Sequence, residues 1–190
     1  MKFTTSAEDI ALIRRARDGD NVSFARLVNN YTTHVYHIAF AILKNKDDAE
    51  DAVQDAFITA YRSIKKLKKE DSFSSWIARI VTSRAYDILR QRQRDRITIT
   101  KEDPTPELEQ VPSCQNSPEA IEEAVDIRWA IDHLPADHRL AITLRYTQGA
   151  TTEEIAAIMQ RPAGTVRRIL SESYRLLRLY LQEETHHEVQ

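Results

Sequence analysis

Residues 151–170, TTEEIAAIMQRPAGTVRRIL, decide how the C-terminal part of this chain folds. Thr151 and Glu154 have the three-residue spacing of a capping box, which predicts that a helix begins there. Pro162 cannot continue that helix and disfavours helical geometry at Arg161, so the helix must end just before the proline. Pro162 instead suits the first turn of a following helix, where its missing N–H costs nothing. The stretch therefore predicts two helices joined by a short turn.

The second of these helices has one apolar and one basic face. The apolar stripe contains Val166, Ile169, Leu170, Tyr174 and Leu177. The other side carries Arg167, Arg168, Ser171, Arg175 and Arg178. A short turn followed by a basic helix is typical of a helix-turn-helix, whose second helix enters the major groove of DNA. A helical hairpin whose arginines only face solvent has the same spacing, so the pattern leaves both interpretations open.

The composition indicates a helix-rich soluble protein. Its 190 residues include only three glycines and six prolines, and 42% of them are hydrophobic. No apolar run is long enough to span a bilayer and the N-terminus has no signal-peptide core, so we expect a cytoplasmic protein without membrane insertion. The single cysteine, Cys114, excludes an intramolecular disulfide and a cysteine-based zinc cluster.

Charge changes along the chain in three segments. Residues 1–94 carry a net charge of +5, residues 95–117 carry −3, and residues 118–190 carry −4. The middle segment contains three prolines and shows little periodicity, which is typical of a linker. We therefore expect an all-α protein with two small helical domains, 1–94 and 118–190, joined by a flexible linker.

Capping residues predict where most of the other helices begin and end. Ser6 with Asp9 opens a first helix, Gly19 closes it, and a second begins at Asp20–Asn21. In the C-terminal segment, helices are predicted from Ser117-Pro118 to about His133 and from Pro135 to Gln148. Gly149 is placed to end the latter in a left-handed conformation.

A third helix, predicted to be capped by Asp47 with Glu50 three residues later, has an acidic face opposite an alanine-rich stripe. That face carries Asp48, Asp51, Gln54, Asp55 and Ile58. A solvated helix surface would have this pattern. An apolar side chain among carboxylates also suits a docking surface for a basic partner helix.

A basic stretch, residues 65–69, leads into a helix that begins near Trp76 and ends in RQRQR, residues 90–94. Cations beside aromatic rings are the combination that holds separated nucleic-acid strands, because cations bind phosphate and rings stack on bases. Phe73 and Trp76 could equally be ordinary core aromatics.

The order of these parts resembles the extracytoplasmic-function (ECF, group IV) sigma factors of the sigma-70 family. Four stretches carry the resemblance, namely AEDAVQDAF (49–57), FSSWIARI (73–80) with DILR (87–90), LPADHR (134–139) through LRY (144–146), and EIA (154–156) with GTV (164–166).

The resemblance implies a specificity subunit of RNA polymerase, with sigma region 2 in residues 1–94 and region 4 in residues 118–190. Expected partners are core polymerase (the clamp of its largest subunit and the flap of its second-largest subunit), promoter DNA and an anti-sigma factor. Core-polymerase contacts would be Asp48, Asp51, Gln54, Asp55 and Ile58. The opened minus-ten strand would be held by Lys68, Phe73, Ser74, Trp76, Arg79, Ser83, Arg84 and Arg90. The minus-thirty-five duplex would be met by Arg161, Ala163, Gly164, Thr165, Arg167, Arg168, Ser171 and Arg175.

Two residues depart from the family pattern. Ser83 stands where the melting helix usually has an asparagine, and Glu172 interrupts the basic run of the recognition helix. Glu172 would repel phosphate unless it accepts a hydrogen bond from a cytosine amino group. An adaptor that has lost DNA recognition is therefore an alternative.

Two other classes of protein are less well supported. The sequence has no Gly-rich phosphate loop, HExxH or nucleophile motif, so we expect neither an enzyme nor a cofactor. His34 and His37 lie one helical turn apart and could in principle share a metal, but ordinary satisfied or exposed histidines are the favoured interpretation, and no metal site is expected. A stand-alone helix-turn-helix repressor would leave the first domain unexplained.

Overall fold

The computed structural model describes residues 4–98 and 127–187, and within these ranges the chain is helical with no strand. The helices are α1 (Ala7–Arg17), α2 (Asn21–Leu43), α3 (Lys46–Ser63), α4 (Phe73–Thr98), α5 (127–133), α6 (Ala136–Thr147), α7 (Thr152–Met159) and α8 (Ala163–His187). Two short 3-10 turns, Ile64–Lys66 and Glu70–Ser72, connect α3 to α4. None of the described helices is long and apolar enough to cross a membrane. The all-α fold class predicted from the sequence is confirmed.

Capping boxes start two helices where the sequence predicts them. In α1, Ser6 Oγ accepts from the Asp9 amide at 3.0 Å, and Asp9 Oδ2 accepts from the Ser6 amide at 3.0 Å. In α7, Thr151 Oγ1 and the carboxylate of Glu154 make the same reciprocal pair at 3.2 and 2.7 Å. Each pair satisfies two amides that have no partner within the helix.

The start of α3 differs from the prediction. Its N-cap is Asn45, whose side chain accepts from the Asp48 amide at 2.9 Å, and not Asp47. The reason is that Lys44 ends α2 in the left-handed conformation, with φ 51°, so the chain turns two residues earlier. Asparagine caps a helix as well as aspartate does.

The turn between α7 and α8 forms where Pro162 requires it. Gln160 adopts φ 53° and closes α7, and α8 begins directly after Pro162. The Pro162 carbonyl accepts from the Thr165 and Val166 amides at 2.9 and 3.1 Å. Gly149 ends the preceding segment with φ 61°, as predicted.

The helices of both predicted domains pack around one continuous apolar core. Helix α6 lies along α2, and α7 lies along α4. The core joins side chains of the first part, such as Leu27, Val35 and Ile77, to Leu140 and Ile155 of the second. The sequence predicts two helical domains joined by a linker and leaves their relative placement open, and in the structure the two pack against each other.

The predicted linker is only partly described. Helix α4 continues to Thr98, so the first four residues of the predicted linker are helical. Residues 99–126 lie outside the described residues. They include Cys114 and the predicted helix start at Ser117-Pro118.

Asp9 links α1 to α2 from a buried position. Besides Ser6, its carboxylate accepts from Asn30 Nδ2 and from the Tyr31 hydroxyl, each at 3.0 Å. Burial by itself would raise the pKa of Asp9. The hydrogen bonds from the Ser6 backbone and from the Asn30, Ser6 and Tyr31 side chains outweigh burial and hold the pKa below its ordinary 3.8.

We expect Asp9→Asn to lower the free energy of unfolding by about 1–2 kcal/mol at pH 7, because an amide cannot serve the same donors. A carboxyl group with a depressed folded pKa stabilises the fold above its unfolded pKa, and this contribution is lost as pH falls through the folded value. The difference between variant and wild type in urea unfolding should therefore shrink below pH 3.8. Asp18→Asn, at an exposed carboxylate ending the same helix, is the control and should have little effect. A difference that stays constant down to pH 2 would contradict the assignment.

Candidate functional site

The acidic face of α3 points outward. Asp51, Gln54 and Asp55 are exposed, and Ile58 keeps 41% of its surface open to solvent. The orientation is fixed by a stripe of fully buried alanines on the other side of the helix, Ala49, Ala52, Ala56 and Ala60. Small side chains let α3 lie close against its neighbours, so the carboxylates cannot rotate inward.

Asp48 differs from the rest of this face. It is half-buried, and its Oδ2 lies 2.5 Å from Arg92 Nε of α4, a contact between opposite charges. Its charge is therefore used within the protein. Asp48 holds α4 against α3 and is less available to a partner than Asp51 or Asp55.

An apolar groove of about 1250 Å³ runs beside the acidic face, between α2 and α3. Its α2 wall contains Phe24, Val28, Tyr36 and Phe40, and its α3 wall contains Val53, Phe57 and Ile58. Glu50 and Gln54 line it on the α3 side, and so do Lys46 and Arg62. An apolar groove with charged side chains along its edge fits the apolar face of an amphipathic helix.

Sequence reasoning did not identify this groove. The signal was present in α2, where Phe24, Val28, Tyr36 and Phe40 are spaced by multiples of four and therefore form one stripe. The stripe could not be distinguished from the core-facing stripe of the same helix until the packing was known.

The residues expected to hold the minus-ten strand are partly brought together on α4. Trp76, Arg79, Ser83 and Arg90 follow helical spacing along one side, and Arg79, Ser83 and Arg90 are exposed. Lys68 is exposed in the segment before the helix. This side of α4 is a cationic surface with one half-buried aromatic ring.

Two arginines of this set already have partners within the chain. Arg84 Nη2 donates to Thr59 Oγ1 at 3.1 Å, which ties α4 to α3. Arg90 pairs with Asp87 one turn earlier. Arg79 is exposed and makes no hydrogen bond or ion pair with another residue in the described ranges.

The structure corrects the expectation for Phe73 and Ser74. Phe73 is fully buried, with its ring 5.0 Å from that of Tyr31 and 5.7 Å from that of Trp76, measured between centroids. Ser74 is 7% exposed, and its amide donates to Thr5 Oγ1. Neither side chain can reach a DNA strand in this arrangement. The aromatic residue beside the basic stretch belongs to the core.

The second helix of the helix-turn-helix presents its predicted faces. Val166, Ile169 and Leu170 are buried against α6 and α7. The exposed residues are Gly164, Arg167, Arg168, Ser171 and Arg175, and Ala163 and Thr165 are half-buried. This surface has the shape and composition of a recognition helix.

Carboxylates neutralise part of the basic surface. Arg161 Nη2 is 2.8 Å from Asp137 Oδ2, Arg167 is 3.9 Å from Glu153, and Arg175 donates twice to Glu172 at 2.6 and 3.0 Å. Arg168 has no ion-pair partner within the part of the chain that the structure describes. Arg168 therefore offers its whole charge to a ligand.

Arg139, which sequence reasoning did not single out, joins the two halves of the molecule. It is 7% exposed, and its guanidinium donates to the Ala41 and Ile42 carbonyls at the end of α2 and to the Leu134 carbonyl, at 2.6 Å, after α5. Helix ends leave such carbonyls without partners. Burial lowers the pKa of Arg139, and the nearby Asp132 charge opposes that shift. One cation thus donates hydrogen bonds to carbonyl groups at the ends of two helices from different domains.

Further polar contacts cross the same interface. The Tyr86 hydroxyl of α4 donates to Asp137 Oδ1 of α6. Gln148, 1% exposed, donates to the His34 carbonyl of α2 at 3.3 Å. Lys44 Nζ donates to the Asp132 carbonyl at 2.5 Å. No local sequence pattern could have identified these residues, because each contact joins positions 50 or more apart.

The histidines and acids do not assemble a metal centre among the described residues. No group of three His, Cys, Asp or Glu side chains in these ranges could hold a metal ion. Burial, followed by the charge of His37, lowers the pKa of His34.

Comparison with known proteins decides the family. Residues 27–95 match the family model of Sigma-70 region 2, and residues 130–179 match that of Sigma-70, region 4. The chain is 33% identical over 166 residues to the ECF RNA polymerase sigma-E factor of Escherichia coli K12, covering 84% of this chain and 86% of that protein. The chain belongs to the ECF group of the sigma-70 family.

Other sigma factors are similar to this chain at comparable sequence identity. The RNA polymerase sigma-H factor of Pseudomonas aeruginosa is 31% identical over 170 residues, covering 86% of this chain and 88% of that protein. The ECF RNA polymerase sigma factor SigE of Mycolicibacterium smegmatis is 32% identical over 167 residues. That match covers 86% of this chain and 63% of the longer relative.

Two solved structures share the fold. CnrH in complex with the cytosolic domain of CnrY gives a TM-score of 0.66 at 19% identity, covering 93% of this chain and 98% of that one. The sigma factor RpoE in complex with the anti-sigma factor NepR from Bartonella quintana gives 0.64 at 24% identity, covering 84% and 96%. The helical arrangement is thus that of sigma factors.

Proposed function

We propose that this ECF-family chain is an alternative sigma factor that binds core RNA polymerase and directs it to promoters. The observation that carries the proposal is the exposed acidic face of α3 beside an apolar groove, in a chain whose other domain presents a recognition helix. No catalytic step is assigned to the chain. Its role is to bind three macromolecular surfaces in one assembly.

Polymerase docking is assigned to α3 and the groove. Asp51, Gln54 and Asp55 would meet basic side chains of the clamp coiled coil in the largest subunit, and Ile58 with the groove would bury the apolar stripe of the same coiled coil. Carboxylates at the edge of the interface favour a basic partner and reject acidic ones. Asp48 contributes indirectly, because its contact with Arg92 holds α4 against α3.

Binding of the opened minus-ten DNA strand is assigned to the exposed side of α4. Lys68, Arg79 and Arg90 would bind phosphates of the opened minus-ten strand, and Ser83 and Trp76 would lie against its bases. Arg84 is held by Thr59, which positions its guanidinium beside the same surface. Capturing bases there would offset the few kcal/mol needed to unstack each one.

Duplex recognition is assigned to the start of α8. Arg168, which has no ion-pair partner within the described ranges, is the residue best placed to read a base edge, because arginine binds guanine through two hydrogen bonds. Arg167, Ser171 and Arg175 would contact neighbouring bases and phosphates, and the C-terminal domain would rest on the flap of the second-largest subunit. Neither domain needs to bind DNA tightly by itself, because attachment to polymerase raises the effective concentration of both.

Control by an anti-sigma factor is part of the proposal. One of the structures that share this fold is that of the sigma factor RpoE in complex with the anti-sigma factor NepR. An inhibitor that covers the groove and the acidic face of α3 would compete directly with polymerase. The groove offers such a partner an apolar surface against which one face of an amphipathic helix could pack.

Run-off transcription with purified core polymerase on genomic fragments tests the function. We expect promoter-specific transcripts from the wild type and a loss of about tenfold from Arg168→Ala, since one good base contact is worth roughly 1–3 kcal/mol. Core-polymerase binding should be unchanged in that variant.

Arg178→Ala is the matched control for that experiment. Arg178 is exposed on the same helix, ten residues or about 15 Å further along, beyond the reach of the same base pair. Equal losses from both substitutions would contradict base recognition by Arg168. Polymerase binding without any promoter-specific transcript would favour the adaptor that has lost DNA recognition.

A further inference from the structure

Glu172 stands in the middle of the basic surface of α8. Arg168, Ser171, Glu172 and Arg175 have the spacing i, i+3, i+4, i+7, so they form one stripe along the helix. Arg168, Ser171 and Arg175 are exposed, and 44% of the Glu172 side chain is open to solvent. A carboxylate at this place lies against DNA whenever the arginines on either side of it do.

The packing of α8 keeps Glu172 on that side of the helix. Ser173, the next residue, is fully buried, and its hydroxyl donates to the Ile169 carbonyl at 2.7 Å and contacts His138 Nδ1 of α6 at 3.1 Å. Val166 and Leu170 are buried on the same side as Ser173. Because these residues fix the buried side, the carboxylate of Glu172 cannot turn into the core.

Arg175 holds that carboxylate in one orientation. Its Nε donates to Glu172 Oε2 at 3.0 Å and its Nη2 donates to Oε1 at 2.6 Å, which is the bidentate geometry of a strong charged pair. These hydrogen bonds, with the charges of Arg175 and His138, outweigh burial and hold the pKa of Glu172 below its ordinary 4.5. An ionised carboxylate can only accept hydrogen bonds. The adjacent Arg175 charge offsets the repulsion between this carboxylate and the DNA phosphates.

We propose that Glu172 is a specificity-determining residue that selects a cytosine in the minus-thirty-five element, with Arg175 as its positioning residue. An acceptor in the major groove can bind only the amino groups of cytosine and adenine. The adenine amino group lies between N7 of its own base and O4 of the paired thymine, and both of these acceptors repel a carboxylate. The cytosine amino group has one such neighbour, O6 of the paired guanine. The inference deepens the proposed function and rests on it for the placement of α8 in the major groove.

Helix geometry sets where that cytosine should lie. Glu172 follows Arg168, the residue assigned to guanine, by four positions, or about 6 Å along the helix axis. At roughly 3.4 Å per base pair this distance spans about two steps of the duplex. We therefore expect the C·G pair about two base pairs from the guanine that Arg168 binds. The Nη1 group of Arg175 is not used by Glu172 and remains for a phosphate.

The experiment reconstitutes holoenzyme from core polymerase and this chain and offers it promoter fragments with a randomised minus-thirty-five region. Sequencing of the fragments that are bound and transcribed gives the base preference at each position. We expect the wild type to prefer cytosine at the position described above. Glu172→Ala should weaken this preference about tenfold, and Glu172→Gln should replace it with a preference for adenine, because glutamine binds adenine N6 and N7 together. Preferences at the other positions should remain.

Two further substitutions separate positioning from direct recognition. Arg175→Lys keeps the positive charge, but an ammonium group cannot reproduce the planar fork that holds both carboxylate oxygens. The preference should therefore weaken while the preferred base remains cytosine. Glu153→Gln is the matched control, because it removes a carboxylate that lies 3.9 Å from Arg167 but belongs to α7 and not to the stripe. It should leave the preference for cytosine unchanged.

The possible outcomes distinguish this inference from the proposed function. If Glu172→Ala bound every sequence more tightly without a change in preference, the carboxylate would only repel phosphate and the inference would be wrong. An enriched motif in which no base responds to Glu172→Ala would overturn it as well, while leaving the proposed function intact. A wild-type holoenzyme that enriches no motif would refute the proposed function and this inference with it.

Discussion

The double substitution Asp51→Lys and Asp55→Lys is expected to lower the affinity for core RNA polymerase by at least about a hundredfold, or roughly 2.7 kcal/mol. Both carboxylates are exposed on the free side of α3, where buried alanines fix the helix. Reversal places cations opposite a basic partner, which costs more than loss of the original attraction. Fluorescence anisotropy with labelled protein and purified core enzyme measures the change.

The control for this prediction carries the same change in net charge. Glu8→Lys in α1 and Asp18→Lys directly after it are at exposed positions away from α3 and the groove. That variant should bind polymerase almost as the wild type does at 0.15 M salt, where charges more than about 8 Å apart are screened. If both double variants lost affinity equally, the effect would come from overall charge and the assignment of α3 would fail. Circular dichroism confirms that each variant is folded.

Arg139→Ala is expected to lower the free energy of unfolding by about 3–4 kcal/mol. The substitution removes the donor of the Ala41, Ile42 and Leu134 carbonyls at once and leaves a cavity between α2, α5 and α6. Buried carbonyls without a donor carry the full cost of desolvation. Urea unfolding at pH 7, followed by circular dichroism, measures the loss.

Two further arginine substitutions calibrate that result. Arg145→Ala removes a half-buried arginine with a single hydrogen bond to Thr152, within one domain, and should cost about 1 kcal/mol. Arg139→Lys should be intermediate, because one ammonium group cannot reach the carbonyls of two helix ends. We also expect the Arg139→Ala transition to broaden or split as the two halves unfold separately. A loss no larger than that of Arg145→Ala would show that the interface does not depend on this cation.

Features set by local chemistry were predictable from the sequence. Thr151, Pro162 and Gly149 each restrict the backbone of their own neighbourhood, so the helix-turn-helix could be placed before its packing was known. The acidic face of α3 was predictable for the same reason, since a run of small apolar residues at helical spacing determines which side is buried. The start of α3 was misplaced by two residues because Asn45 and Asp47 are both good caps and the choice depends on how α2 ends.

Features set by distant contacts were not predictable. Arg139 occurs in a helix that otherwise carries ordinary surface charges, and nothing in its neighbours indicates that it enters the end of α2. Phe73 follows a basic stretch that also fits a nucleic-acid surface, and only its packing against Tyr31 shows that it is buried. The composition of residues 95–117 predicts a flexible linker, but composition does not determine whether the domains on either side of a linker contact each other. The packing of α6 along α2 was therefore not predictable.

Because Arg139 caps α2 from the other domain, opening of the last turn of α2 is coupled to separation of the two halves. The last turn of α2 is completed by a residue from the far side of the interface, so it has no complete set of partners when the halves part. Terminal fraying of one helix and separation of the two halves are therefore one thermodynamic event. Hydrogen exchange of the amide protons of Leu43 and Lys44 should therefore report the separation of the two halves.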